Sequence, residues 1–234
     1  MVDMHERSVI VVGATGGLGL PIARGLAEAG ARLTLVGRDD ARLSATGLAG
    51  HRVAADVCLA ASPARIVDAA LSAYGAVDGI VYAAGAVAFG AVDELPDEVM
   101  IDLFTLNALA PIRLLRAALP ALRASAAAGH DPFVAHVSAV VAEQPQAGMA
   151  AYSATKAALA AYDAAAMREL RREGIRLIDI RPPHTETGLA LRPLAGAAPR
   201  LPQGLDPQRV ADRIITALRD GEKDLPSSEF TGST

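Results

Sequence analysis

The sequence predicts an α/β domain built on a doubly wound parallel sheet with helices on both faces. Three observations predict it. Between residues 8 and 180, short β-branched apolar runs alternate with longer segments of helical period, the pattern of strands joined by crossover helices. The turn Gly13-Ala14-Thr15-Gly16-Gly17-Leu18-Gly19 stands between the first run and the first helical segment, a slot where such sheets meet their ligands. The chain has 234 residues, 52% of them hydrophobic, which fits the core of a single domain over residues 1–234.

Ser8–Val12 (SVIVV) ends at a glycine and reads as a buried strand. Residues 17–29 then place Leu18, Ile22, Leu26 and Ala29 on one helical face. Residues 32–36 (RLTLV) are a second strand, 39–49 a second helix and 51–55 (HRVAA) a weaker third strand. Ser62–Tyr74 reads as a helix with Ser62 as N-cap and Pro63 at the first helical position. Residues 77–82 are the fourth strand, 97–124 a long helix disturbed near Pro111, and 133–138 (FVAHVS) the fifth strand. An Ala-rich helix over 151–173 stops at Gly174, and the sixth strand, 175–180 (IRLIDI), ends at Pro182-Pro183. Residues 184–205, rich in Pro, Gly and Ala, have no clear period and are expected to form a substrate loop or lid. Residues 206–219 are a helix with Asp206 as N-cap and Pro207 next; the last dozen residues are either a short edge strand or a frayed tail.

Composition excludes several function classes. The formal net charge is −4 and no long Lys/Arg run occurs, so nucleic acid is not the expected partner. One cysteine, Cys58, excludes an intramolecular disulfide and a Cys-cluster metal site, and suits a reducing cytoplasm; it reads as a small buried hydrophobe. The five histidines show no metal-ligand spacing, so no metal is expected. The longest charge-free stretch, residues 8–23, is broken by four glycines and Pro21, so no membrane span is expected.

A glycine-rich strand-to-helix turn lets the backbone approach a pyrophosphate closely, and the helix beyond presents free N–H groups. Gly13, Gly17 and Gly19 therefore point to a nucleotide cofactor. Past the second strand stands Gly37-Arg38, with no carboxylate at the strand tip. A guanidinium fork matches a ribose 2′-phosphate, which favours NADP(H) with NAD(H) as the alternative; the other reading of Arg38 is a surface pair with Asp39 or Asp40. Asp56, after the third strand, is either an acceptor for an adenine amino group or a capping aspartate.

Tyr152-Ser153-Ala154-Thr155-Lys156 puts a phenol and an ammonium on one helical face. A nearby ammonium stabilises a phenolate, so the pair can move a proton at an alcohol or carbonyl. Ser138 stands at the end of the fifth strand, where its hydroxyl could polarise a carbonyl oxygen. Asn107 is a polar amide among Leu103, Phe104, Leu106 and Leu109, which calls for a structural or water-holding role. His184 and Glu186 are a loop histidine and a solvated carboxylate, with a third acid–base group as the alternative.

These residues together resemble the short-chain dehydrogenase/reductase family, a Rossmann-fold family, over nearly the whole chain. Its glycine motif corresponds to Val12, Gly13, Gly17 and Gly19, with Val12 for the usual threonine. Its Asn-Asn-Ala-Gly motif corresponds to Tyr82-Ala83-Ala84-Gly85, with neither asparagine kept. Its Pro-Gly motif becomes Pro182-Pro183, and Thr187 takes the position that touches the nicotinamide carboxamide. The family usually separates serine from tyrosine by thirteen positions; here Ser138 and Tyr152 are fourteen apart and thirteen lands on Ala139. Residues 143–146 are read as a small insertion that still lets Ser138 reach.

The resemblance implies catalytic roles for Ser138, Tyr152, Lys156 and Asn107. Tyr152 would protonate the substrate oxygen, Lys156 would hold the nicotinamide ribose and lower the tyrosine pKa, Ser138 would polarise the carbonyl, and Asn107 would support a water linked to Lys156. It implies a cofactor seat of Gly13, Thr15, Gly16, Gly17, Leu18, Gly19, Arg38, Asp56, Val57, Ala84, Gly85, Tyr152, Lys156, Pro182, Thr185 and Thr187. The expected activity is interconversion of a ketone or aldehyde with an alcohol in a cytoplasmic homodimer or homotetramer. The alternatives are a non-catalytic nucleotide-binding regulatory protein and a reductase of C=C or C=N bonds.

Overall fold

The structure, a computed structural model, describes residues 2–230. Seven parallel strands form one sheet in the order β3-β2-β1-β4-β5-β6-β7: β1 Ser8–Val12, β2 Arg32–Gly37, β3 His51–Ala54, β4 Gly79–Tyr82, β5 Phe133–Val137, β6 Arg176–Ile180 and β7 Asp224–Leu225. Alternation of side chains across the strands loads both faces. Val9 and Val11 of β1 join the core under α1 (Gly19–Glu28) and α7 (Pro207–Asp220). Ile10 and Val12 join the core under α3 (Ser62–Tyr74), α5 (Ala110–Ala127) and α6 (Ala150–Leu170). The register sets Val12 between Val36 and Tyr82, and Val137 beside Ile180, so the strands end at one level. That edge carries the glycine turn, residues 83–85, Ser138 and Pro182.

The structure departs from the expected elements in two places and sharpens two others. Helix α2 is only Asp40–Ser44, because Gly47 and Gly50 adopt φ of 68° and 158°. Ser62 is not a side-chain cap; its hydroxyl donates to the Asp56 carbonyl at 2.6 Å. The long helix over 97–124 is two: α4 (Asp97–Phe104) and α5, joined by a π turn over Thr105–Leu109. Pro111 lacks the N–H that would bond the carbonyl four residues back, and the helix widens just before it. The C-terminal stretch supplies the seventh strand, β7, at the sheet edge. Among the described residues, no helix is long and apolar enough to cross a membrane.

Candidate active site

The glycine turn is closed by backbone. Gly13 takes φ of 81°, donates to Val36 O at 2.9 Å and accepts from Gly16 N at 2.8 Å. A Cβ on Gly13 would meet Ala84 N at 2.9 Å, and one on Gly19 would meet Gly13 O at 2.1 Å. A Cβ on Gly17 would meet Thr187 O at 2.5 Å, so only a bare backbone lets residue 187 lie over the turn. Helix α1 has Leu18 at its N-cap position, no side-chain cap and no acid in its first turn. Leu20 N already donates to Gly16 O at 3.0 Å and Pro21 has no N–H, so the amides left for an anion are those of Gly17, Leu18 and Gly19. This cradle fits the pyrophosphate of a dinucleotide.

At the tip of β2, Arg38 is exposed and has no hydrogen bond or ion pair among the described residues. Its two acidic neighbours are engaged elsewhere. Asp39 caps α2, accepting from Ala41 N at 2.9 Å and Arg42 N at 3.2 Å, and Asp40 pairs with Arg52 at 3.1 Å. Asp56 uses one carboxylate oxygen to accept from Cys58 N at 3.0 Å, a capping turn, beside buried Val57. Cys58 is half-buried rather than buried, and burial and the Asp56 charge push its thiol up to about 11.

Tyr152, Lys156, Asn107 and Gly85 meet at the strand ends. Lys156 is 4% exposed, donates to Val137 O at 2.9 Å and lies 5.9 Å from the Tyr152 ring centre. Asn107, in the π turn, accepts from Ala86 N at 3.0 Å and donates to Ala86 O at 2.9 Å and to Thr155 Oγ1 at 3.1 Å. A Cβ on Gly85 would lie 3.2 Å from Asn107 Oδ1 and 3.6 Å from Lys156 Nζ. Among the described residues the Tyr152 hydroxyl has no hydrogen bond, and burial raises its pKa. Burial also lowers Lys156 to about 8, with the Asp179 charge opposing.

That shift has a measurable consequence. Between about pH 8 and 10.5 the unfolded chain holds the Lys156 proton more tightly than the folded one, so stability rises with pH across that window. In denaturant unfolding, wild type is expected to gain about 3 kcal/mol relative to Lys156→Met, which has nothing to titrate there, between the lower and the upper limit. A constant difference contradicts the buried ammonium.

Ser138 is the expected catalytic residue that the structure does not bring into this group. Its backbone continues the β5–β6 pairing, donating to Ile180 O at 2.8 Å. Its hydroxyl is bonded to Asp179 Oδ1, with Ile180 O 3.2 Å away. The one hydroxyl proton is committed to these acceptors and is not free for a substrate. At the fourteen-position spacing the Ser138 hydroxyl faces Asp179 and Ile180 O rather than Tyr152. Glu143, at the start of residues 143–146, is tied to Arg181 at 2.5 Å and to Ser227. Ala139, in extended backbone, packs against the Tyr152 cluster instead.

Behind Ser138 lies a charge network that sequence reasoning missed. Asp179, 1% exposed, pairs with Arg181 at 2.5 Å, and Arg181 also holds Asp224 at 2.7 Å. Burial raises the Asp179 carboxyl, opposed by the bonds from Ser138 and Arg181. The available signal was one acid inside the apolar run IRLIDI.

Residues 184–205 are tied at their base. Thr185 bridges Leu205, Glu186 N donates to Leu205 O at 2.9 Å, and Leu205 N donates to His184 O at 2.8 Å. Thr185 Oγ1 donates to Pro183 O at 2.9 Å, and Pro182 O accepts from Val140 N at 3.0 Å. Farther along, Leu194 N donates to Val87 O at 2.8 Å and Phe89 N to Ala195 O at 3.0 Å. Leu189, Ala190 and Ala195 thereby cover Val87, Phe89, Leu103 and Tyr152, an apolar wall. Glu186 accepts from Gly204 N at 2.7 Å and lies 3.5 Å from His184, so this pair braces the base of the segment.

Comparison with known proteins gives the family and the fold. The chain is 28% identical over 222 residues to an uncharacterized oxidoreductase of Staphylococcus epidermidis, covering 93% of each. It is 28% identical over 203 residues to an ipsdienol dehydrogenase of Ips pini, covering 82% of this chain and 79% of the relative. A short-chain dehydrogenase from Streptomyces avermitilis superposes with TM-score 0.81 at 29% identity, over 94% of this chain and 88% of that one. The fold is also that of a 3-ketoacyl-(acyl-carrier-protein) reductase from Brucella melitensis, solved with NADH (TM-score 0.85, 23% identity, 97% and 99% covered). The short chain dehydrogenase model matches residues 7–193, from β1 through the glycine turn and the Tyr152–Lys156 pair to the segment over Tyr152, and the chain is an oxidoreductase of that family.

Proposed function

We propose that the chain is an NADP(H)-dependent oxidoreductase that interconverts a ketone or aldehyde with an alcohol. One observation carries the reading: an unbonded phenol, Tyr152, lies among apolar side chains with a buried ammonium, Lys156, 5.9 Å from its ring centre, at the strand edge that also carries the glycine cradle. A bound reduced nicotinamide supplies the hydride. Gly13, Thr15, Gly16, Gly17, Leu18 and Gly19 would hold its pyrophosphate side, with Asp56, Val57, Ala84, Gly85, Pro182, Thr185 and Thr187 lining the rest. Tyr152 gives its proton to the substrate oxygen, and Lys156 stabilises the phenolate left behind. Asn107 grips the backbone at Ala86 and so fixes the floor beside Gly85. Ser138 acts behind the site, bonding the end of β5 to Asp179 of β6, and Tyr152 is the group that protonates the substrate. Residues 184–205 act as the lid, and their Leu and Ala side chains suit an apolar substrate.

The free guanidinium of Arg38 supports NADP(H) over NAD(H). Arg38→Asp is expected to weaken NADPH binding by ~10–100-fold, the worth of one charge-assisted phosphate contact, and to leave NADH binding nearly unchanged. Equal losses for both, measured by fluorescence titration, refute the phosphate role. Ala139→Ser adds a hydroxyl on the Tyr152 side, and we expect roughly tenfold faster carbonyl reduction; no gain means that position 139 does not face the reacting oxygen. Exposed Ile101, Phe104 and Leu109 on α4–α5 support self-association, to a homodimer or homotetramer in the cytoplasm. The function itself is tested by following NADPH oxidation against a panel of ketones, aldehydes, enones and imines. Turnover of carbonyls supports the reading, and turnover of only enones or imines replaces it.

A further inference from the structure

At the opposite end of the sheet from Tyr152, a cavity of about 630 Å³ opens between the C-terminal end of α6, the start of β6 and the turn before β7. Arg168, Arg171, Arg172, Arg176 and Lys223 line it, against one acid, Asp131. Of the other acids nearby in sequence, Glu169 and Asp220 do not line the cavity, and three more are held elsewhere. Glu173 pairs with Arg123 at 2.5 Å, Glu222 with Arg213 at 2.7 Å, and Asp224 with Arg181 at 2.7 Å. Among the described residues Arg168, Arg171, Arg172 and Lys223 have no ion pair and no side-chain hydrogen bond, and all four are exposed.

Arg176 differs from the others. It is 8% exposed, donates to Leu218 O at 3.0 Å and Glu222 O at 3.3 Å, and has Asp131 only at 3.7 Å. Its Nε is buried with no partner. A chain does not ordinarily bury a guanidinium with an unmet donor and surround it with further cations. Cations near a helix C-terminus can be answering the helix dipole. Arg168, Arg171 and Arg172 stand in the last turns at the end of α6, but Arg176 and Lys223 lie on other elements, so the dipole does not account for the whole cluster. The volume is that of a metabolite site.

We propose that this cavity binds a small polyanion, a molecule carrying two or more phosphate or carboxylate charges. Guanidinium groups from the end of α6 and from β6, with the Lys223 ammonium from the turn before β7, supply the positive charge such a molecule needs. The site is separate from the catalytic centre, about 24 Å away along the axis of α6, and the proposal does not rest on the activity assigned above.

The test is calorimetric titration of the full chain with pyrophosphate and, separately, citrate, in 150 mM chloride. The variants are Arg171→Glu/Arg172→Glu and Arg171→Lys/Arg172→Lys, both at exposed positions. We expect saturable binding of at least one probe, weakened tenfold or more by the glutamates and kept within about threefold by the lysines. The tighter probe tells phosphate from carboxylate. Pyrophosphate held at the glycine turn survives the glutamate change, so two sites in wild type and one in that variant also support the proposal. Binding of neither probe, loss of binding in chloride, or equal binding by wild type and the glutamate variant overturns it.

Discussion

Tyr152→Phe is expected to lower kcat/KM for carbonyl reduction by ~10³–10⁴-fold, toward the upper end for removal of a general acid. The size follows from Ser138. With its proton committed to Asp179, no second hydroxyl in the cluster shares the work of protonating the oxygen. The substitution removes one oxygen atom that bonds nothing among the described residues, so folding is expected to stay within about 0.5 kcal/mol of wild type. Cofactor binding is expected to persist, because the ring and Lys156 remain. Wild-type rates in the phenylalanine variant would remove Tyr152 from the mechanism. The wild-type profile carries a second signature. The ammonium that steadies the phenolate is lost as Lys156 deprotonates, so kcat/KM for reduction falls as pH rises through about 8. A rate that climbs there contradicts the pairing.

Gly19→Ala is expected to cost about 3 kcal/mol or more, one of the largest losses available from a single methyl in this chain. The new Cβ would stand 2.1 Å from Gly13 O and 2.8 Å from Gly13 C, and both are backbone in the turn that closes the cradle. Nothing flexible can yield, so the turn must open. A loss of that size lowers Tm by roughly 6–12 °C. Gly129→Ala is the control. It has a φ of 81° but nothing within 4 Å of its Cβ, so its cost is only about 1 kcal/mol of backbone strain. Similar losses in both variants would mean that close approach at the turn is not what demands glycine at position 19.

The strands that position the site were readable because each is short, β-branched and flanked by breakers; β1 and the Ser62–Tyr74 helix fall on their expected bounds. Helix α2 was overextended, since helix-compatible residues continue past Ser44 and only the φ of Gly47 and Gly50 shows the chain turning away. The cluster of Tyr152, Lys156 and Asn107 was legible because helical spacing and an amide amid leucines are local facts. Ser138 was not. Counting residues locates a position along a strand, but the side it faces depends on how the partner strand is paired, and Ile180 continues that pairing one residue farther. The Asp179–Arg181–Glu143 network and the cavity around Arg176 unite residues distant in sequence, so no spacing announces either.

The measurement closest to the central claim uses NADPH carrying deuterium at the transferable position of its nicotinamide, mixed with an accepted ketone and wild type or Tyr152→Phe. The account predicts an alcohol deuterated at the carbinol carbon, with an unlabelled hydroxyl proton from Tyr152 and solvent, and almost none of it from the variant. An alcohol without deuterium on carbon, or equal yields from both proteins, would contradict proton delivery by this phenol to a carbonyl reduced by hydride.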